Sequence, residues 1–198
     1  MMVTFLRAAV AAAVVCALAP TPASADFIIS PYFAWSRNAD TSRWVPGGGA
    51  TADVTIGWFT AGAEVGYGAG FFDPENDVLD LIASSYVLTV TGHAGVIVNP
   101  ANDDDARVLP YATGGFGVMR QQARDRAGLA SVTRNDPSLH FGGGVYLMAT
   151  EYLGVRADLR NFRSLRDPFE SPDPIVADLE RVSFWRFAVG AVIRFGTD

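Results

Sequence analysis

The sequence predicts an all-β fold, an eight-stranded antiparallel up-and-down transmembrane β-barrel, on three observations. Apolar residues alternate with polar or small residues along eight segments of about ten residues or more. The connections between these segments alternate between long and short. One face of the segments carries almost no charge, whereas the other face carries most of the strand charges and many glycines.

The first residues of the chain differ from the rest. Arg7 is the only charge among them, an apolar run covers Ala8 to Ala19, and small residues follow at Ala23 to Ala25. This order is typical of a secretory signal peptide, and the apolar run is too short to span a bilayer. We therefore expect residues 1–25 to be a signal peptide and residues 26–198 to be an outer-membrane β-barrel domain.

The composition excludes several classes of protein. Cys16 is the only cysteine and lies in the apolar run, so the mature chain is not expected to form a disulfide scaffold. Every basic residue is Arg, and no basic patch dominates, which argues against nucleic-acid binding. No later stretch is apolar enough for a membrane-spanning helix, although 49% of the residues are hydrophobic. A high apolar content without a long apolar segment is typical of a membrane protein whose lipid-facing residues are distributed over many short strands.

Each predicted strand is assigned from its alternation and from the turn residues that flank it. In chain order the strands are Asp26–Ser36, Ala50–Phe59, Ala61–Phe72, Ser85–Val98, Arg107–Gln121, Ser138–Ala149, Tyr152–Phe162 and Val182–Phe195. The connections are expected to be long (Arg37–Gly49), tight (at Thr60), long (from Asp73), intermediate (from Asn99), long (Gln122–Pro137), tight (at Thr150) and longest (from Arg163). Short periplasmic turns and longer extracellular loops give an outer-membrane barrel this rhythm.

The size of the side chains predicts which face points inward. The apolar face is rich in Trp, Phe, Leu and Val, and Arg120 is its one charged exception. An eight-stranded barrel has just enough interior room for its inner side chains, so the small, charged face fits inside and the apolar face fits lipid. A soluble lipocalin-like barrel is the alternative, but it should carry charges on the outer face of most strands.

Several segments resemble the OmpA/OmpX-like group of small eight-stranded outer-membrane barrels of Gram-negative bacteria. They are TIGWFTAGAEVGYGAGFF, LPYATGGFGVM, LHFGGGVYLMATEYLGVRADLRNF and the terminal FWRFAVGAVIRF. The resemblance covers nearly the whole mature chain and rests on alternating Gly and aromatic residues around tight turns. It implies insertion by the barrel-assembly machinery, which reads a terminal aromatic residue; here Phe195 is followed by three more residues.

Inward-facing charges are the candidate site residues: Asp53, Glu64, Arg156, Asp158, Arg160, Arg186 and Arg194. Buried charges must be paired, because an unpaired one costs several kcal/mol. We expect Glu64 to pair with Arg156 across the lumen, since both lie at similar heights above the short-turn end. Asp158, Arg160 and Arg186 should form a second layer. A network that fills the interior is favoured over a gated small pore.

Other motifs carry weaker indications. His93 and His140 should both point inward, but no compact Ser/His motif accompanies them, so no catalytic site is assigned. The acidic run Asn102–Asp105 lacks the spacing of a calcium loop. The glycine clusters at Gly47 and Gly114 lack the Lys and Ser/Thr of a phosphate loop. We expect no metal and no cofactor.

The sequence thus favours a non-enzymatic integral barrel of the bacterial outer membrane, with a structural or surface-interaction role. The alternatives are a narrow porin-like channel for small solutes and a lipid-modifying barrel enzyme. The expected partners are outer-membrane lipid and lipopolysaccharide, together with the assembly machinery during insertion. The protein is expected to be a monomer that binds no nucleic acid.

Overall fold

Eight antiparallel strands form a closed barrel in which every strand pairs with its neighbours in sequence and the last strand pairs with the first. The computed structural model describes residues 25–38, 44–70, 82–98, 107–125, 131–165 and 182–196. The strands are β1 (Ala25–Asn38), β2 (Trp44–Ile56), β3 (Phe59–Ala69), β4 (Ile82–Ile97), β5 (Val108–Asp125), β6 (Ser131–Met148), β7 (Leu153–Ser164) and β8 (Ser183–Phe195). The predicted up-and-down barrel is confirmed. Within the described residues, no helix is both long and apolar enough to cross a lipid bilayer.

Two connections were predicted to be long, but the strands that they join extend further than expected, so both predictions were wrong. β2 begins at Trp44, and β5 and β6 together leave only residues 126–130 between them. The glycines of β2 explain the first error, because Gly47 to Gly49 pair with β3 instead of forming a loop. A side chain at Gly47 would collide with the backbone carbonyl of Tyr67, so these glycines permit close strand contact. Residues 1–24 of the expected signal peptide and the acidic run at Asn102 lie outside the described residues, whereas Ala25, the last residue of the expected signal peptide, is the first residue of β1.

The tight turn between β2 and β3 consists of Gly57 and Trp58. Gly57 has a φ of 59°, in the left-handed region that side chains disfavour. This turn lies at the same end of the barrel as both ends of the described chain, because β1 begins and β8 ends there. We call it the short-turn end. At the opposite end, which we call the long-loop end, β1, β3, β5 and β7 end and β2, β4, β6 and β8 begin.

The strands are staggered by ten residues around the barrel. A path that follows one Cα pairing per step leaves β8 at Arg194 and returns to β8 at Phe184. It passes through Ile28, Asp53, Gly62, His93, Gly115, His140 and Phe162. Such a stagger requires strands that tilt strongly relative to the barrel axis. Residues at equal distances from their turns therefore do not lie at equal heights.

Alternation along each strand separates an outer apolar face from a packed interior. On β3, for example, Glu64 is buried, whereas Val65 and Tyr67 are 49% exposed. The most exposed large side chains include Phe33, at 76%, and Phe59, at 70%. In water such a surface would expose far more contiguous apolar area than a soluble monomer tolerates. The described barrel wall instead has the polarity of a lipid-facing surface.

Two apolar clusters occupy the lumen at different heights. The cluster near the long-loop end consists of Val45, Val87, Met119, Phe162, Val182 and Phe184. The cluster near the short-turn end consists of Ile28, Ile97, Tyr111, Tyr146, Met148 and Val192. Glu64, Arg160 and Asp158 lie between these clusters, whereas the buried Asp136 pairs with Arg134 at the level of the cluster near the long-loop end. This arrangement positions the candidate site in the middle of the barrel.

Candidate functional site

Glu64 is the centre of the charged layer in the lumen. Its carboxylate accepts a hydrogen bond from Arg160 Nη1 at 2.6 Å and pairs with Arg186 through the second oxygen. Tyr32 also donates its hydroxyl to Glu64, at 3.1 Å. Glu64 and Arg160 are each only 1% exposed. One carboxylate on β3 therefore connects β1, β7 and β8 across the lumen.

Asp158 is the second carboxylate of the layer. It pairs with Arg156 Nη2 at 2.7 Å and with Arg160 Nε at 3.2 Å. Tyr111 on β5 donates its hydroxyl to Asp158 at 3.0 Å. Arg156 also donates to Thr51 on β2 at 2.8 Å. Arg160 thus bridges the two carboxylates, and the network becomes continuous from β3 to β5.

Aromatic rings support the guanidinium groups of this network. The Tyr32 ring lies 5.3 Å from Arg156 and 5.1 Å from Arg186, measured from each Cζ to the ring centroid. The Phe162 ring lies 4.3 Å from Arg186. Cation–π contacts gain strength when the cation is desolvated. Buried arginines in this layer thus receive stabilisation besides their ion pairs.

The expected pairing of Glu64 with Arg156 was wrong, because Glu64 pairs with Arg160 and Arg186. The stagger of the strands gives the reason. Cα pairings lead from Glu64 to Ser164 on β7 through β4, β5 and β6. In the other direction they lead towards Gly154. The level position on β7 lies midway between these residues, next to Arg160. Arg156 instead lies nearer the short-turn end and pairs with Asp158.

Asp53 and Arg194 lie outside the continuous network. Asp53 is 2% exposed and contacts His93 Nε2 at 2.5 Å. Arg194 pairs with Asp26 at the short-turn end, where both side chains are partly exposed. The structure therefore brings five of the seven candidate residues together, and it gives the other two separate partners. Arg160 and Arg186 also belong to the same layer as Glu64 and not to a second one.

Tyr32, Thr51 and Tyr111 belong to the network, although the sequence analysis did not select them. Each uses a hydroxyl group to contact a charged side chain of the layer. All three occupy inward positions of their strands, so the alternation itself was the signal that could have found them. Inward-facing tyrosines should therefore be considered, together with the charged residues, as candidate members of such a network.

The two histidines lie beside the network, near each other. Their rings are 6.0 Å apart, and His140 stacks on Phe162 at 5.0 Å. Neither ring nitrogen of His140 has a hydrogen-bond partner among the described residues, and the same is true of the hydroxyl of Ser138. The His93–Asp53 pair likewise has no partner on His93 Nδ1. The hydrogen-bonded sequence of nucleophile, base and acid that a serine hydrolase requires is not formed by these groups.

The network side chains fill the lumen at their level. Arg156 is fully buried, and Arg186, the most exposed of the five, is 4% exposed. The five side chains carry three positive and two negative charges, with the Asp53–His93 pair close by. Within the part of the chain that the structure describes, no cluster of His, Cys, Asp or Glu side chains could hold a metal ion. The described geometry is that of a closed ionic layer between two apolar clusters.

Several solved structures of small outer-membrane barrels match the chain over most of its length. Neisserial surface protein A matches with a TM-score of 0.62 at 13% identity, covering 86% of this chain and 97% of that chain. Ail, the attachment invasion locus protein of Yersinia pestis, matches with a TM-score of 0.54 at 18% identity, covering 87% and 99%. The N-terminal β-barrel domain of Pseudomonas aeruginosa OprF matches with a TM-score of 0.51 at 12% identity, covering 86% and 97%.

Sequence comparisons add nothing to these matches. No protein-family model matches the chain, and no curated protein matches it. The agreement in architecture therefore concerns the fold alone. The chain has the fold of the small eight-stranded outer-membrane β-barrels, as the sequence predicted.

Proposed function

We propose that the protein is a non-enzymatic integral barrel of the bacterial outer membrane, exported through a cleaved signal peptide. Its role is structural or surface-interactive, and the connections at the long-loop end form the contact surface. The observation that carries this proposal is the contrast between the two faces of the wall: exposed Phe33 and Phe59 outside, buried Glu64 and Arg160 inside. A rigid ionic core suits a scaffold that holds loops above a membrane.

A non-conducting lumen is the second part of the proposal. A pore must leave its lining side chains in contact with water, but the network side chains are at most 4% exposed. Clusters of buried apolar side chains lie on both sides of the layer. Conduction would require the Glu64 ion pairs to separate, which a buried carboxylate resists.

Two measurements test the proposal, the first on membranes of cells that produce the protein and the second on the purified, refolded protein. Gel mobility of unheated and boiled samples from membranes should differ, because a closed barrel resists the detergent until it is heated. Planar-bilayer recordings should show no steady conductance above that of protein-free bilayers. A stable single-channel current that requires the protein would contradict a non-conducting lumen and would favour the narrow-channel alternative. Absence from the membrane fraction would reject the membrane location.

A further inference from the structure

The described outward charges of the barrel wall have one sign and lie at one end. Arg37, Arg120 and Arg163 are the charged residues at outward positions of the strands, among the side chains that the structure describes. All three lie near the long-loop end, and no described Asp or Glu side chain of the strands points outward. The strand bounds deduced from sequence ended before Arg37 and Arg163, so only Arg120 was recognised.

Arg37 and Arg163 flank the same strand. Arg37 on β1 pairs with Trp185 on β8, and Arg163 on β7 pairs with Ser183, two residues further towards the long-loop end. Strands lie ~4.8 Å apart and rise ~3.4 Å per residue, so the two Cα atoms are separated by about 12 Å. Both residues are exposed, and no carboxylate of the described chain forms an ion pair with either. Two long cationic side chains can therefore converge on one anionic group above β8.

Aromatic residues place this pair of arginines at the depth of a lipid headgroup. Trp185 lies between them on β8 and packs edge-to-face on Phe141, with ring centroids 6.2 Å apart. Trp35 stacks on Phe187 at 6.2 Å, one step closer to the barrel centre. Tryptophans of this kind concentrate where the hydrocarbon of a bilayer meets its headgroups. A cation at the same level contacts the headgroups and not the acyl chains.

We propose that Arg37, Trp185 and Arg163 form a binding site for the phosphate-bearing headgroup of an outer-leaflet lipid. The guanidinium group is the side chain best matched to phosphate, since it forms two parallel charge-assisted hydrogen bonds. Trp185 contacts the sugar or glycerol portion and the first part of the acyl chains. A lipid is the expected occupant because the surrounding wall is apolar and lies at membrane depth. This inference rests on the membrane location proposed above.

The test measures lipid binding to the full-length refolded barrel by native mass spectrometry, which counts bound lipids directly. The probes are diphosphoryl lipid A and the same lipid without its phosphates. The wild-type protein should bind the phosphorylated form at least about tenfold more tightly, since only that form offers the phosphate oxygens that accept charge-assisted hydrogen bonds from the two arginines. The double variant R37Q/R163Q should lose this preference. The matched control R107Q changes an exposed arginine at the opposite, short-turn end and should keep it.

Several results would overturn the site. They are an equal affinity of the wild-type barrel for both lipids, an unchanged preference in R37Q/R163Q, and an equal loss in R107Q. The wild-type comparison does not depend on the folding of any variant. A barrel that inserts into phosphatidylcholine vesicles but does not prefer phosphate would reject the lipid site alone. A chain that fails to insert into those vesicles would reject the proposed membrane location.

Discussion

Arg160 on β7 donates to Glu64 on β3 at 2.6 Å, across the lumen, although 96 residues separate them along the chain. This contact joins opposite walls of the barrel, so it constrains the cross-section in a way that neighbouring-strand hydrogen bonds cannot. Arg186 on β8 pairs with the other oxygen of the same carboxylate. The stability of the barrel should thus depend on Glu64 more than on any exposed acid.

Glu64→Gln should destabilise the folded barrel by about 3–5 kcal/mol, because it leaves buried arginines without their main counter-charge. The measurement is the urea concentration at the midpoint of unfolding in lipid micelles. Glu151→Gln is the matched control, since Glu151 is exposed in the β6–β7 turn. We expect its midpoint to equal that of the wild type. Equal midpoints for the two variants would contradict a structural role for the Glu64 ion pairs.

Double-mutant cycles should distinguish the observed partner of Glu64 from the one that the sequence suggested. The cycle of Glu64→Gln with Arg160→Gln should give a coupling energy of about 1–3 kcal/mol, as for residues in direct contact. The cycle with Arg156→Gln should give a smaller value, because Arg156 pairs with Asp158. A larger coupling for Arg156 would restore the original pairing and reject the geometry of the layer.

Val155→Arg should harm barrel assembly more than Arg156→Val does. Val155 is 51% exposed on the outer wall, three residues into β7 from the short-turn end, and a charge on the lipid face costs up to roughly 2–4 kcal/mol, the value at the bilayer midplane. Arg156→Val removes an ion pair but leaves Asp158 in contact with Arg160. The measurement is the fraction of heat-modifiable protein after refolding into vesicles. If Arg156→Val proves the more damaging of the two, the assignment of inner and outer faces is wrong.

Phe162→Ala should destabilise the barrel far more than Phe33→Ala. Phe162 is fully buried and stacks on both Phe184 and His140, so its removal opens a cavity that costs about 3–5 kcal/mol. Phe33 is 76% exposed on the outer wall, where lipid can fill the space. Denaturant midpoints of the two variants provide the comparison. Similar losses would show that the aromatic cluster near the long-loop end does not stabilise the lumen.

The sequence contained enough information for the fold and for the two faces, because alternation is a local property. Val155 and Arg156 are adjacent in the chain, and the pleat alone places them on opposite sides. Charges, glycines and aromatic residues then distinguish inside from outside by size. Most strand ends could thus be located within a few residues, but β2 begins at Trp44 and not at Ala50, and β6 begins at Ser131 and not at Ser138.

The partners of Glu64 could not be predicted in the same way, because they depend on the stagger of the closed barrel. The ten-residue shift appears only after all eight pairings are joined, and no single strand encodes it. Height above the short turn was therefore a poor guide to the contacts of Arg156. Tyr32 was missed for a different reason, since only the charged residues of the inward face were selected as candidates.

Tryptophan fluorescence in brominated lipid tests the orientation of the wall most directly, and it needs no variant. The chain has four tryptophans, and all of them lie outward and 43–60% exposed, namely Trp35, Trp44, Trp58 and Trp185. Trp58 lies at the short-turn end, and the other three lie towards the long-loop end. The account predicts strong quenching by bromine placed near the headgroups and weaker quenching by bromine at the chain ends. Fluorescence that no brominated lipid quenches would contradict the lipid-facing outer wall.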